Sequence, residues 1–228
     1  RNAVIPSINA SRSPRFNLLY RLVSTGKVYF LGRPRRFGKS LLISTLEAYF
    51  LGKKELFKGL AIDALEQEWK QYPVFHLDFN TGNYLNDGAL EEVLSGEIAR
   101  WEKQYGVERT YEDLGKRFQQ VLHAAHKQTG LGAVVLIDEY DKPILDVLDM
   151  DFQVEHLGKT MTLEEKHRYI MKSFYATLKG ADADLRFVFL TGVTKFSQIS
   201  MFSGFNQPED ISLSRDYEAI CGITQKEL

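Results

Sequence analysis

Five apolar residues in a row, Ala133-Val-Val-Leu-Ile137, stand between Gly132 and the acids Asp138 and Glu139. A strand with one wet face would alternate. A short unbroken run is how a strand buried on both faces of a parallel sheet reads. Val28–Leu31, Val74–Phe79 (after Pro73) and Arg186–Leu190 read as companion strands. Helical spacing marks Phe16–Val23, Lys39–Phe50, Asp63–Gln71, Ala89–Tyr105, Tyr111–Gln128 and Leu163–Lys179. Asp149–Thr162 is polar and less regular. After Gly192 the chain is loop-like up to a short strand in Asp210–Leu213. Strands alternating with helices predict a three-layer αβα domain with a mostly parallel central sheet. The chain's 228 residues suffice for one such domain. Residues 1–27 read as an irregular lead-in and a short helix, and 28–223 as the domain. Thr224-Gln-Lys-Glu227 has the capping-box pattern of a helix start, so 224–228 reads as the beginning of a following, truncated element.

In parallel sheets ligands sit beyond the carboxyl ends of the strands, here after Leu31, Phe79, Ile137 and Leu190. Three of these four points carry a motif. The first is Arg33-Pro-Arg-Arg-Phe-Gly-Lys-Ser40, with Leu41 following, between a strand and a helix. That context makes a phosphate loop: the free N–H groups at a helix start favour an anion, and Gly38 permits close approach. Lys39 is placed for the β- and γ-phosphates, and Ser40 for Mg²⁺. The usual loop has a glycine five residues before Gly38; Arg33 stands there, and Gly32 is one position early. A plain strand–turn–helix with a chance Gly-Lys-Ser is the competing account.

The second motif is Asp138-Glu139 at the end of the apolar run. Asp138 is placed to hold Mg²⁺ beside Ser40, and Glu139 to orient or deprotonate an attacking water. A solvated acidic turn would look the same in isolation; the Gly-Lys-Ser a hundred residues upstream favours chemistry. The third is Thr191, after Phe189-Leu190, whose hydroxyl could sense the γ-phosphate if its strand lies between the first and third. A threonine satisfying a strand end is an equal alternative.

These pieces resemble the AAA-ATPase-like family of bacterial P-loop proteins. The resemblance rests on Arg33–Leu41, Leu136-Ile-Asp-Glu-Tyr-Asp-Lys-Pro-Ile144 and Phe187-Val-Phe-Leu-Thr-Gly-Val-Thr-Lys-Phe-Ser197. It continues through Phe202-Ser-Gly-Phe-Asn206, Asp210-Ile-Ser-Leu213 and Cys221-Gly-Ile-Thr224. The family carries arginine in place of the first loop glycine, which accounts for Arg33. Ser13-Pro-Arg-Phe16 departs from the Tyr-Val-Asp-Lys-Thr-like segment usual before the first helix, so adenine contacts are not carried over. The resemblance implies a P-loop NTPase fold, ATP and Mg²⁺ as ligands, and a PD-(D/E)XK-type nuclease domain following in the parent protein.

Lysine plus arginine number 29 and aspartate plus glutamate 30, so net charge gives no sign of nucleic-acid binding. The lone Cys221 excludes an internal disulfide and, with no thiol partner, points to a reduced, cytoplasmic setting. The apolar runs are too short to span a membrane. His123 and His126, one helical turn apart, lack an evident third metal ligand and read as surface residues. Glu68-Trp-Lys70 reads as a helix face. Arg33, Arg35 and Arg36 are expected to meet a triphosphate or a structural carboxylate such as Asp141. Phe196–Phe205 reads as a loop packing its own hydrophobes. The sequence thus points to an ATPase driving a shape change in a larger protein. A nucleotide switch with negligible turnover is the alternative, and a small-molecule kinase ranks below both.

Overall fold

A computed structural model describes residues 14–194 and 208–221. Along the chain run helix α1 (Pro14–Thr25), strand β1 (Val28–Gly32), α2 (Lys39–Phe50), α3 (Ala61–Leu65), β2 (Val74–Asp78), α4 (Ala89–Tyr105) and α5 (Leu114–Thr129). Then follow β3 (Ala133–Asp138), α6 (Lys142–Leu145), β4 (Gln153–His156), β5 (Lys159–Thr162), α7 (Leu163–Gly180), β6 (Leu185–Gly192) and β7 (Glu209–Asp210). The main sheet has the order β2-β3-β6-β1-β7, and every pairing in it is parallel.

Side-chain alternation along these strands creates two cores and hence three layers. Phe30, Phe75, Leu77, Val135, Ile137, Val188 and Leu190 pack with residues of α4, α5 and α7. Tyr29, Leu31, Val134, Leu136, Phe187 and Phe189 pack with α1, α2 and α3. Asp138 and Thr191 share the parity of this second set, so they end their strands on the side where α2 begins.

Local signals fix the helix ends. The Asp113 carboxylate accepts from the Lys116 N–H at the start of α5, and Thr162 with Glu165 forms a capping box on α7. Gly106 and Gly130, both left-handed, stop α4 and α5.

Two expectations are corrected. The helix expected over Asp63–Gln71 ends at Leu65, and Glu68-Trp-Lys70 lies on no helix face. The Glu66 carboxylate accepts from the Glu68 N–H at 2.9 Å, a local bond that competes with the helix. Trp69, at φ 44°, turns its ring against Tyr49 and Phe57. The irregular stretch expected over Asp149–Thr162 contains the antiparallel β4–β5 hairpin. Its two-residue turn, Leu157-Gly158, has positive φ at both positions. Leucine there hides the Asn-Gly signal such turns normally give. The last main-sheet strand is Glu209–Asp210 alone. The lead-in over 1–13, the Phe196–Phe205 loop and the element expected at 224–228 lie outside the described residues. No helix among the described residues is long and apolar enough to cross a membrane.

Candidate functional site

β1, β6 and β3 lie side by side, so their carboxyl ends gather the three sequence motifs at one edge of the sheet. From β1 the chain passes through Arg33–Gly38 into α2. The loop is anchored on both sides: the Arg33 N–H donates to the Gly192 carbonyl at 3.1 Å, and the Gly32 N–H to the Ser212 hydroxyl at 2.7 Å. Left-handed backbone falls at Arg36 (φ 66°) and Gly38 (φ 81°), not at Arg33. An arginine at the usual first-glycine position therefore costs the backbone nothing here. Gly38 caps α2 with no side-chain hydrogen bond, leaving the N–H groups of its first turn uncapped by any side chain. Pro34, Arg35, Arg36, Phe37, Ser40 and Leu41 are exposed around this turn.

Lys39 is the exception, only 3% exposed. Its ammonium donates to the carbonyls of Arg33 (2.9 Å) and Pro34 (3.2 Å) and meets Glu139 Oε1 at 3.0 Å. Glu139 itself is 12% exposed and sits in the left-handed region at φ 52°. For a non-glycine residue that conformation costs about 1–2 kcal/mol, so the surrounding contacts must hold it.

Those contacts come from β6. The Tyr140 N–H donates to the Thr191 carbonyl at 2.8 Å, and the Glu139 N–H to the Thr191 hydroxyl at 3.2 Å. The Thr191 hydroxyl donates its own proton to Asp138 Oδ1. Asp138 is 2% exposed, and its Oδ2 lies 3.5 Å from the Asn80 amide nitrogen. β6 does lie between β1 and β3, as a sensing role for Thr191 requires. The hydroxyl is fully buried and gives its one proton to Asp138.

Sequence reasoning left the end of β2 without a motif. The structure places Asp78 there, in register with Asp138. Asp78 Oδ1 accepts from both the backbone and the side-chain amide of Asn80, at 2.9 Å each. One turn of strand earlier, His76 Nδ1 meets Glu47 of α2 at 3.1 Å. Burial draws the His76 pKa down. The hydrogen bond and charge of Glu47, with the charges of Asp78 and Asp138, outweigh that and raise it. The Glu47 carboxyl is correspondingly lowered, chiefly by its bond to His76. Asp-x-Asn at a strand end was the available signal.

Of the two partners expected for Arg33, Arg35 and Arg36, a triphosphate or a structural carboxylate such as Asp141, the second is not taken up at Asp141: its Oδ2 accepts from Val193 and Thr194, and among the described residues none of the three arginines makes an ion pair with it. His123 and His126 both lean on Asp184, at 3.3 and 2.8 Å, on the outer face of α5. Among the described residues no group of three His, Cys, Asp or Glu side chains could hold a metal ion alone.

A parallel sheet in this order, with a glycine-opened loop after β1 and an acid-ended neighbour two strands away, defines a three-layer αβα P-loop-like fold. A family model described as "Predicted AAA-ATPase" matches residues 15–202, and the chain belongs to this AAA-ATPase-like family. It is 36% identical over 211 residues to an uncharacterized protein in the vnfD 5′ region of Azotobacter chroococcum mcd 1. The match covers 91% of this chain and 38% of that relative, so the chain spans well under half the relative's length. No solved structure is a significant match.

Proposed function

We propose that this domain binds ATP at the Arg33–Leu41 loop and hydrolyses it with Mg²⁺, driving a change of shape in a longer protein. The observation that carries the reading is the buried contact between Lys39 and Glu139. A phosphate-binding cation and a water-activating carboxylate face each other at 3.0 Å across the mouth of the loop. Nothing in the apolar core requires a charge pair at this place.

The donor set fits the ligands. The uncapped first turn of α2 suits a phosphate, and Ser40 and Asp138 offer hard oxygen donors of the kind Mg²⁺ takes alongside phosphate oxygens. When bound there, Mg²⁺ would offset the negative charge of the triphosphate. Phosphate oxygens compete with Glu139 for the Lys39 ammonium. Once Lys39 turns to phosphate, the Glu139 carboxylate is free to take a proton from water. The water oxygen then bonds to the γ-phosphorus as the β–γ bridge bond breaks, giving ADP and inorganic phosphate. Thr191 holds Asp138 in place and accepts the Glu139 N–H, keeping the two acids apart in role. A domain following in the parent protein, of the nuclease type the family resemblance implies, would receive the resulting motion.

Nucleotide binding and phosphate release measured on Glu139→Gln and Asp138→Asn test this reading. Glu139→Gln is expected to retain Mg-ATP and lose hydrolysis by a factor on the order of 10²–10⁴. Asp138→Asn is expected to weaken the Mg²⁺ dependence of binding as well. Equal hydrolysis by wild type and Glu139→Gln would remove Glu139 from the chemistry. ATP binding without any turnover would favour the switch reading.

A further inference from the structure

Two residues beyond Glu139 lies a fully buried carboxylate that the proposed chemistry does not use. Asp141 stands at the cap position of α6, directly before Lys142-Pro143, where an aspartate ordinarily bonds the first N–H groups of its own helix. It makes no such bond. Its Oδ2 instead accepts from the Val193 N–H (3.0 Å), the Thr194 N–H (2.7 Å) and the Thr194 hydroxyl (2.6 Å), all in the segment leaving β6. Asp141 is 0% exposed, and among the described residues no lysine or arginine neutralises it. Three hydrogen bonds converge on this one oxygen, while Oδ1 is buried with no hydrogen-bond partner among the described residues.

The close approach that allows this depends on Gly192. A β-carbon there would stand 2.4 Å from the Tyr140 ring and 2.8 Å from Asp141 Oδ1. The turn after β3 is thus pressed onto the end of β6, with Glu139 and Tyr140 tied by their N–H groups to Thr191 and Asp141 tied by its charge to residues 193 and 194. Glu139 sits in the left-handed region, which glutamate does not choose unaided. Beside the Lys39 contact of Glu139 itself, the Asp141 carboxylate ties the turn to the segment leaving β6.

We infer that Asp141 is a positioning residue for Glu139: its carboxylate clamps the turn to the β6 exit and thereby helps fix where the water-activating carboxylate stands. The inference rests on the ATPase reading above and adds a residue that touches neither nucleotide nor water. A clamp of this kind affects turnover, which depends on the exact place of Glu139, far more than nucleotide affinity, which depends on the α2 loop.

Steady-state hydrolysis, ATP affinity and local amide exchange of Asp141→Ala, compared with wild type, test it. The expected result is a kcat lowered about a hundredfold with KM and ATP affinity within about threefold. Exchange at 139–142 and 193–194 should be faster and the rest of the chain unchanged. If Asp141→Ala does not fold, Asp141→Asn and Thr194→Val carry the test, with kcat lowered by about tenfold and about threefold and KM held. Wild-type kcat in the variants, or kcat and affinity falling together with the melting temperature, overturns the clamp. Wild type that binds but never hydrolyses ATP overturns the ATPase reading and this inference with it. Wild-type turnover with an unaffected Asp141→Ala overturns this inference alone.

Discussion

Among the described residues two ion pairs have both side chains at most 12% exposed, and they are built differently. Arg117 of α5 meets Glu102 of α4 through two parallel bonds, Nε to Oε1 at 2.8 Å and a terminal nitrogen to Oε2 at 2.7 Å, and also donates to the Ser95 hydroxyl. Both partners sit in regular helix among Trp101, Phe118 and their neighbours. The pair raises the arginine pKa, chiefly through the bond to Glu102. Lys39 and Glu139 share a single contact, one partner at a helix start and the other on strained backbone, with the ammonium leaning on loop carbonyls. A planar fork locked in helix has no better partner to seek. A point charge held by one carboxylate and two carbonyls exchanges readily when a phosphate competes. The first pair is architecture, and the second is the one the proposed ATPase function uses.

That contrast is open to direct attack. Glu102→Ala leaves a guanidinium buried without its partner and is expected to cost about 3–5 kcal/mol of stability. Glu139→Gln keeps an acceptor beside Lys39 and relieves no packing, so its stability should stay within about 1 kcal/mol of wild type. Denaturant titration of both variants checks this. A Glu139→Gln as destabilised as Glu102→Ala would make the two pairs equivalent and end the distinction.

A smaller effect sharpens the edge of the site. His76 has a folded pKa above its unfolded value, so the stability it adds is full below the unfolded pKa and is lost as pH rises through the raised folded value. Glu47 is lowered, so its share is present above the usual glutamate pKa and is lost as pH falls. The advantage of wild type over His76→Gln should therefore peak in mildly acidic solution and fade toward alkaline pH. Its size should be about 1 kcal/mol or less for a partly exposed pair. Melting curves across that range read it, and an advantage that grows with pH would contradict the assignment.

Much of the framework was legible because its signals are local. The apolar run Ala133–Ile137, the Gly-Lys-Ser opening α2 and the capping box on α7 each declare themselves within a few residues. The gathering of Lys39, Asp138, Glu139 and Thr191 at one sheet edge followed from the parallel topology. What sequence reading missed depends on partners about fifty residues apart. Asp141 reads in the sequence as one candidate partner, beside a triphosphate, for Arg33, Arg35 and Arg36, and the β3–β6 pairing reveals Val193 and Thr194 as its donors. Asp78 and Asn80 gain meaning from their register with Asp138. Glu139 carries no outward sign of its left-handed backbone. The bond from Thr191 to Asp138 likewise joins residues 53 positions apart.

In the proposed function, nucleotide binds at the Arg33–Leu41 loop through Lys39. A ligand that binds only the native state raises its stability by mass action, by about 2.7 kcal/mol at a hundred times the dissociation constant. Thermal unfolding of wild type and Lys39→Ala, each with and without Mg-ATP, reads this directly. A clear upward shift is expected for wild type and none for Lys39→Ala at the same nucleotide concentration. An equal shift in both proteins would contradict it and place the nucleotide elsewhere.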